Sequence, residues 1–445
     1  MKTITKVSLL SLLVPFVVSA QWRQQTSGTI LGLRSVRAVD NNVVWVGGND
    51  GVVLHTSNGG VTWNVKTSTQ TGYYNLGIAA FDVDTALVIG STYPGGSYPY
   101  QAKVWKTTDA GNTWNEKYYA ASNVSNSIHF FGPNDGVYLG DPNPLNSSQW
   151  NILTTTDGGN SWNRVPSSNY PPSDSVCGEF GIVRNYGAYG DTIWFSSYYA
   201  QCPSRNNRIY RSTDRGYHWT SFDMPFKGGD APFISFNSPT SGIAISFMSG
   251  GVSRTTDGGV TWAILDTIGI TPQAVRNVPG HANVFLAVGQ DLGANGLSLC
   301  SRDSGNSWIP LSAPTQSSLG DVSSTEDIAW AVGAIGTIFT LDIDSIVTSE
   351  KEIATTFPKT PFLTQNYPNP FNPSTTIRYA LPERSHVTLA VFNTLGQQVA
   401  TLAEGEREAG YHEVKFDASS LASGVYLYRL TAGDYVQARR LVLMR

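Results

Sequence analysis

Short runs of alternating or continuous apolar residues recur along the chain, bounded by clusters of Gly, Asn, Asp and Ser. Pairs such as "NVVWVGG" then "GVVLHT", or "TIWFSS" then "NRIYRS", are followed by "WNVKTS" or "WNEKYY" and preceded farther upstream by "LGIAAFDV" or "APFISFNS". Runs of this length and period predict β-strands, four to a unit, which is the content of a propeller blade. Between the third and fourth strand of each unit stands an octapeptide: "TSNGGVTW" (56–63), "TTDAGNTW" (107–114), "TTDGGNSW" (155–162), "STDRGYHW" (212–219), "TTDGGVTW" (255–262) and "SRDSGNSW" (301–308). Their closing tryptophans, Trp63, Trp114, Trp162, Trp219, Trp262 and Trp308, are 51, 48, 57, 43 and 46 residues apart, a period that fits one stacked supersecondary unit per repeat.

The segment "WAVGAIGTIFT" (330–340) aligns with "WVGGNDGVVLHT" at an offset of 285, with Trp330 on Trp45 and Gly336 on Gly51. Six repeats fill that offset, so residue 340 ends the third strand of a seventh unit that has no fourth strand of its own. "WRQQTSGT" from Trp22 resembles "WNVKTSTQ" from Trp63 and supplies the missing strand. A ring closed in this way leaves no sheet edge open. The expected fold class is all-β: a seven-bladed β-propeller over residues 21–343 followed by a smaller β-unit.

Each octapeptide reads as a tight turn. Glycine supplies the positive φ, the Asp carboxylate accepts turn N–H groups, and Thr or Ser adds a local hydrogen bond. Asn58 replaces the acid in the first copy, keeping an acceptor oxygen without the charge, which a turn tolerates better than a catalytic acid does. Asn58, Asp109, Asp157, Asp214, Asp257 and Asp303 are therefore assigned to structure, with no metal or cofactor expected.

Composition agrees with many short strands: of 445 residues 44 are Gly, 23 Pro, 12 Trp, 21 Tyr and 18 Phe, and only 14% are charged. The net charge of -4 provides no basic stripe for phosphates, which disfavours a nucleic-acid partner. Residues 1–20 carry Lys2 and Lys6, an apolar run from Val7 to Val18 and a small-residue Val18-Ser19-Ala20 end, the plan of a secretory signal peptide cleaved before Gln21. The mature chain has no apolar stretch of membrane-spanning length. Three cysteines, Cys177, Cys202 and Cys300, have no metal-ligand spacing. A disulfide between Cys177 and Cys202 is consistent with export, and Cys300 reads as a buried thiol.

The octapeptides resemble the Asp-box, or bacterial neuraminidase repeat, and the surrounding pattern is similar to the single-propeller family of photosystem II assembly factors. That resemblance implies a fold rather than an activity. Sialidases with this box hold the substrate carboxylate with three arginines; Arg34, Arg37, Arg184, Arg205, Arg208 and Arg211 lack that family's motif context. Xyloglucanases of the superfamily use two propellers and a pair of aspartates, and one propeller is read here.

Residues 344–365 show no sustained period and read as a linker. From residue 366 "NYPNPFNPSTTI", "VFNTLGQQV", "SGVYLYRL" and the basic end "RRLVLMR" appear in order. Alternation alone predicts a small Ig-like antiparallel β-sandwich. These motifs resemble the type A sorting domain of type IX secretion substrates, over 366–445. The resemblance implies the type IX machinery as a partner, periplasmic transit, and a secreted or outer-surface destination.

Insertions between the second and third strands, "STYPGGSYPYQAK", "GDPNPLNSSQW" and "SSYYAQCPSRNNR", raise three consecutive blades on the face opposite the octapeptides. Long loops on a rigid scaffold commonly carry recognition, and Tyr offers area with a polar tip. Tyr93, Tyr98, Tyr100, Trp150, Tyr170, Tyr198 and Tyr199 are the candidate surface for a glycan or protein, the competing reading being that they pack the loops together. Asp141, Asp174, Glu179 and Asp191 are acids near this sector, but no nucleophile or general acid can be assigned. The leading expectation is a non-catalytic binding protein; a glycoside hydrolase and an envelope assembly factor are the alternatives.

Overall fold

The computed structural model describes residues 22–67, 71–92, 100–142, 147–291, 295–311, 317–347, 361–366 and 369–444. The expected leader therefore lies outside the described residues. The chain divides into two compact units, Met1–Glu350 and Lys351–Arg445.

Among the described residues the first unit contains seven four-stranded antiparallel sheets, numbered here as blades 1 to 7. Their innermost strands are Leu33–Ala38, Tyr73–Ala80, Ser125–Phe130, Glu179–Tyr189, Pro232–Phe236, Thr271–Val278 and Leu319–Ser324. Each lies beside the next, and the seventh lies beside the first, so the ring closes. Closure is two-part. Arg23–Gln25 pairs with the third strand of blade 7, with Arg23 opposite Thr340 and Gln25 opposite Ile338. Trp22 is buried among residues of blades 6 and 7, and its indole N–H donates to Ser298 Oγ at 2.8 Å. On the other side Gln25 bridges to blade 1, accepting from Trp63 Nε1 at 3.0 Å and donating to the Gly59 carbonyl at 3.0 Å.

Both faces of the second strands are covered, which explains the continuous apolar runs: every residue of Val44–Gly48 is buried, as is every residue of Gly242–Ser246. The core lies between successive blades. Val44 and Val46 of blade 1 pack with Trp330 and Val332 of blade 7, while Trp45, on the opposite face of the same strand, packs with Val88 of blade 2. The octapeptide tryptophans share this task. Trp114 of blade 2 meets Trp45 of blade 1 edge-on at 6.3 Å, so the residue wedges two blades apart as well as plugging its own turn.

An inner strand has one edge facing the axis, and its N–H groups need acceptors. Neighbouring blades provide them: Asp321 Oδ2 accepts from Val36 N, Ser323 Oγ from Ala38 N, Ser91 Oγ from Ser125 N, Asp141 Oδ1 from Gly181 N and Asn185 Oδ1 from Ile234 N. Buried polar side chains thus join the blades that apolar packing holds together.

A short helix, Asp344–Val347, follows the last strand of blade 7, and its Ile346 is fully buried with residues of blades 6 and 7. The stretch expected to open a linker at 344 is thus anchored to the propeller through Ile343 and Ile346; residues 348–360 lie outside the described set. The second unit has a three-stranded sheet (Phe362–Leu363, Ser374–Leu381, Gly410–Asp417) and a four-stranded sheet (Gln398–Arg407, Ser385–Phe392, Gly424–Ala432, Tyr435–Leu443). Ile377 and Tyr379 from one sheet and Leu389, Val391, Tyr428 and Leu430 from the other share one core. Asn393 Oδ1 accepts from the N–H groups of Leu395 and Gln397, closing the hairpin turn that the sequence marks at Asn393–Gly396.

Candidate functional site

The octapeptide turns repeat one hydrogen-bond pattern. In the third copy Thr155 Oγ1 donates to Asp157 Oδ1 at 2.8 Å and accepts from Gly159 N at 3.0 Å, while Ser161 donates its N–H to Oδ1 and its hydroxyl to Oδ2. Asp109, Asp257 and Asp303 do the same with Thr113, Thr261 and Ser307. In the fourth copy His218 stands in the hydroxyl position, with Nδ1 at 2.6 Å from Asp214 Oδ2. Asn58 keeps the acceptor for Thr62 N but reverses the other bond, its amide nitrogen donating to Thr62 Oγ1 at 2.9 Å. Bonds from the Ser161 hydroxyl and N–H, with further ones from Thr155 and Asn160, hold the Asp157 carboxyl well below the usual range. A carboxylate so fully engaged is a poor proton donor and a good turn clamp.

On the opposite face the candidate aromatics divide. Trp150, Tyr170 and Tyr199 are buried, at 1%, 6% and 1% exposure, and offer a ligand almost no area. Trp150 meets Phe195 and Tyr210 edge-on, both at 5.2 Å, and its carbonyl accepts from Tyr170 OH at 3.1 Å. Here the packing reading prevails: Trp150 and Tyr170 fill the interface of the third and fourth blades, and Tyr199 is buried with Arg205 over its ring at 5.1 Å. Tyr100 and Tyr198 are half-buried. Tyr93 and Tyr98 lie outside the described residues. Tyr119, which was not among the candidates, is exposed at 47%, and Lys103 sits over its ring at 5.6 Å.

Blade 4 carries the most braced part of this face. Cys177 and Cys202 are joined in a disulfide that ties the loop before its inner strand to the loop between its second and third strands. Asp174 pairs with Arg205 across the same two loops and accepts from the N–H groups of Val176 and Cys177. Beneath them Glu179, fully buried, pairs with Arg208 and accepts from Ser197 Oγ at 2.6 Å, Tyr210 OH at 3.2 Å and Asp174 N at 2.9 Å. Asp141 accepts from Asn126 Nδ2 at 2.7 Å and Gly181 N at 2.9 Å, and burial pushes its carboxyl up to about 6. Asp191 lies on the octapeptide side, paired with Arg215. Each acid considered from the sequence thus has a structural partner. Among the described residues no cluster of His, Cys, Asp and Glu could hold a metal ion.

The innermost strands hold a feature that the sequence reading missed. Innermost strands of blades 1, 2, 3, 6 and 7 shift register at the same level, between Leu33 and Ser35, Asn75 and Gly77, Ser125 and Ser127, Pro272 and Ala274, and Leu319 and Asp321. A bulge leaves a residue unpaired and re-aims its side chain. In blade 1 that residue is Arg34. Blade 4 has a longer bulge, Gly181 to Tyr186, containing Arg184 at a φ of 61°. Arg184 Nη1 reaches the Arg34 carbonyl at 2.9 Å, and Arg276 Nη2 of blade 6 reaches the Arg184 carbonyl at 2.8 Å and Asp321 Oδ1 of blade 7 at 3.3 Å. The Arg34 and Arg276 guanidinium groups lie over the rings of Tyr74 and Tyr186, at 5.6 and 5.8 Å. The sequence reading had Arg34 and Arg184 in view without a context; the bulges supply it, together with Arg276. Arg205 and Arg208 serve the braced loops, and Arg211 lies over Phe222.

Comparison with known proteins agrees with this anatomy. Residues 365–444 match the family model described as secretion system C-terminal sorting domain. No curated protein matches the chain. Among solved structures, YCF48 from Cyanidioschyzon merolae is 19% identical with a TM-score of 0.54, covering 73% of this chain and 100% of its own. Virginiamycin B lyase from Staphylococcus aureus is 14% identical with a TM-score of 0.53, covering 72% and 99%. The GH74 xyloglucanase from Xanthomonas campestris is 12% identical with a TM-score of 0.52, covering 95% of this chain and 68% of its own. At these identities the likeness concerns the fold. No helix among the described residues is long and apolar enough to cross a membrane. The C-terminal segment belongs to the secretion system sorting domains, which implies export by type IX secretion to the cell surface or beyond, and the rest of the chain carries the β-propeller fold of the YCF48-like structures.

Proposed function

We propose that the protein is a secreted or cell-surface binding protein whose propeller presents the face opposite the octapeptides to a glycan or protein partner, with the sorting domain delivering it there. The carrying observation is the bracing of blade 4, where a disulfide and two ion pairs hold the loops that frame Tyr198 in one arrangement. Pre-set loops lose little entropy on binding, which favours recognition over mere enclosure. Burial of Trp150, Tyr170 and Tyr199 narrows the contact surface to Tyr100, Tyr119 and Tyr198, with Tyr93 and Tyr98 as further members outside the described residues. A protein partner is the first to test, since a propeller of the same fold, YCF48, has been solved with a bound D1 peptide.

Glycoside hydrolysis is the weaker reading. It needs one acid free to give a proton and another free to attack or to activate water, whereas Glu179 and Asp174 are held by arginines. The test is binding of the mature chain to a glycan array and to envelope extract, beside a variant with Tyr100, Tyr119 and Tyr198 changed to Ala. The expected result is at least a tenfold loss in the variant; unchanged binding would reject this surface.

A further inference from the structure

We propose that Ile30, Leu31 and Ile335, at the seam where blade 7 meets blade 1, form an anchor site for an extended segment of a protein partner that carries aliphatic side chains. The site rests on the reading of the face opposite the octapeptides as the recognition face, and adds to it a contact on blades other than those of Tyr100, Tyr119 and Tyr198.

The first ground is a turn built against its own chemistry. Blades 1 and 7 each join their second and third strands through a turn whose two central residues have positive φ: Asp50 at 55° and Gly51 at 75° in blade 1, Ile335 at 53° and Gly336 at 64° in blade 7. The closing bond is the same, from Val52 N to the Asn49 carbonyl in one and from Thr337 N to the Ala334 carbonyl at 3.1 Å in the other. Turns of this kind take Asn, Asp or Gly at the first central position, because a short polar or absent side chain tolerates the left-handed region. Asp50 obeys that rule, and its carboxylate also accepts from Gly72 N at 2.7 Å. Ile335 breaks it: among the described residues it is the only β-branched one with positive φ. Packing does not hold it there, since it is 69% exposed. A residue both strained and exposed, where Asn would relieve the strain, points to a contact made outside the chain.

The second ground is what lies beside it. Gly336 N donates to the Leu31 carbonyl at 3.0 Å, which sets the turn against the connection leading from the closing strand into blade 1. On that connection Ile30 is 84% exposed and Leu31 is exposed as well. Val65, also exposed, borders it: a Cβ on Gly28 would meet Val65 Cγ2 at 3.3 Å. The platform is pre-set. A Cβ on Gly336 would fall 1.9 Å from the Thr29 carbonyl oxygen, so the two loops pack backbone to backbone.

The chemistry of the site selects its occupant. Residues 26–32 and 334–337 contain no charged and no aromatic side chain. The hydroxyls of Ser27, Thr29 and Thr337 are engaged in local bonds, so a glycan finds neither a ring to stack on nor a side chain to bond. An anionic lipid surface finds no Lys or Arg. Three side chains offer on the order of 300 Å² of apolar surface, against about 800 Å² per partner in a stable dimer. A polypeptide segment fits. Its aliphatic side chains cover Ile30 and Ile335, while its main chain meets the backbone groups of these two residues, which enter no hydrogen bond among the described residues.

A display library of random short peptides is panned on the mature chain. The selected peptides, synthesised with a label, are then titrated against the parent, Ile30→Ser, Ile335→Asn and the variant with Tyr100, Tyr119 and Tyr198 changed to Ala. Expected are peptides with adjoining Ile, Leu, Val or Met residues, whose affinity falls tenfold or more in Ile30→Ser and in Ile335→Asn and is kept in the tyrosine variant. Ile335→Asn carries a second reading: its Tm should rise by a few degrees, because Asn suits the turn, so that stability and binding move in opposite directions. A purely packing role predicts a fall in Tm. No selected peptide with such residues, affinity unchanged in both isoleucine variants, or a lower Tm for Ile335→Asn would overturn the proposal. Sedimentation with phospholipid vesicles that the isoleucine variants abolish would overturn it in favour of a membrane, and a dimer in ultracentrifugation that they dissociate would overturn it in favour of a second copy. Peptides lost in the tyrosine variant alone would strike this site and leave the tyrosine surface standing; peptides lost in the isoleucine variants alone support this site whatever becomes of the tyrosines.

Discussion

The two faces of the propeller obey different rules. The octapeptide face is built from six versions of one turn, each clamped by the same bonds from its Asp or Asn to the residue four positions on and each anchored to a carbonyl of the neighbouring loop in its own blade, a pattern kept where Asn replaces Asp and where His replaces Ser or Thr. The opposite face is unequal from blade to blade and is held by links between loops distant in sequence: a disulfide, two ion pairs and a bulge that ties blades 1, 4 and 6 across the axis. Repetition marks what every blade needs; departure from it marks what only this protein needs.

The contrast can be broken first at the seam on which both faces depend. Trp22→Ala removes a side chain 3% exposed and the bond to Ser298, and is expected to lower unfolding stability by about 3–5 kcal/mol, read from denaturant titration. A loss below about 1 kcal/mol would mean that the first strand is dispensable.

Next comes the brace on blade 4. Replacing Cys177 and Cys202 by Ser opens a loop spanning 25 residues and should cost about 3 kcal/mol by the chain-entropy account. Ligand binding should weaken along with it, whereas the octapeptide turns should keep their hydrogen-exchange protection.

Asp141 gives a pH signature. Its carboxyl is raised from 3.8 to about 6 by burial, so the folded protein binds this proton more tightly than the unfolded chain. The contribution is full below about pH 4 and is lost as pH rises to about 6. Asp141→Asn should flatten that interval and gain on the order of 2 kcal/mol at pH 7 relative to the parent, measured by denaturant midpoints across pH. A parent curve with no fall between those values would contradict the burial argument.

The smallest effect belongs to the repeated turn. Asp157→Ala should lose about 1 kcal/mol, since the N–H groups it satisfies can turn to water at the rim, and Asp157→Asn should lose less, because Asn58 already fills that role in blade 1. If Asp157→Asn proved as damaging as Asp157→Ala, charge rather than acceptor geometry would be the operative property.

Much of the architecture is legible in the residues because it rests on local chemistry. Strand periods, the Thr-x-Asp-x-Gly turns and the alignment of Trp330 with Trp45 all lie within short stretches, and Trp22 repeats the place of the tryptophan that blade 7 lacks. The sorting-domain motifs are likewise contiguous. The candidate site is less legible. Trp150, Tyr170 and Tyr199 sit beside loops in sequence as exposed aromatics do; only the packed blades reveal that Trp150 and Tyr170 fill the interface between blades 3 and 4 and that Tyr199 is buried with Arg205 over its ring. The arginine cluster is hidden for another reason: a bulge is a relation between two paired strands, and Arg34, Arg184 and Arg276 meet only when three blades that are far apart in sequence face a common axis. One signal was available, namely four arginines among inner strands otherwise nearly free of charge.

The central claim is that the two ends of the propeller chain share one sheet, since this fixes which loops lie together on each face. Hydrogen exchange of the peptide containing residues 22–25 tests it most directly. Exchange as slow as that of residues 338–342, accelerated in both segments together by Trp22→Ala, is the expected result. Exchange of residues 22–25 at the rate of a free tail, with 338–342 still protected, would contradict it.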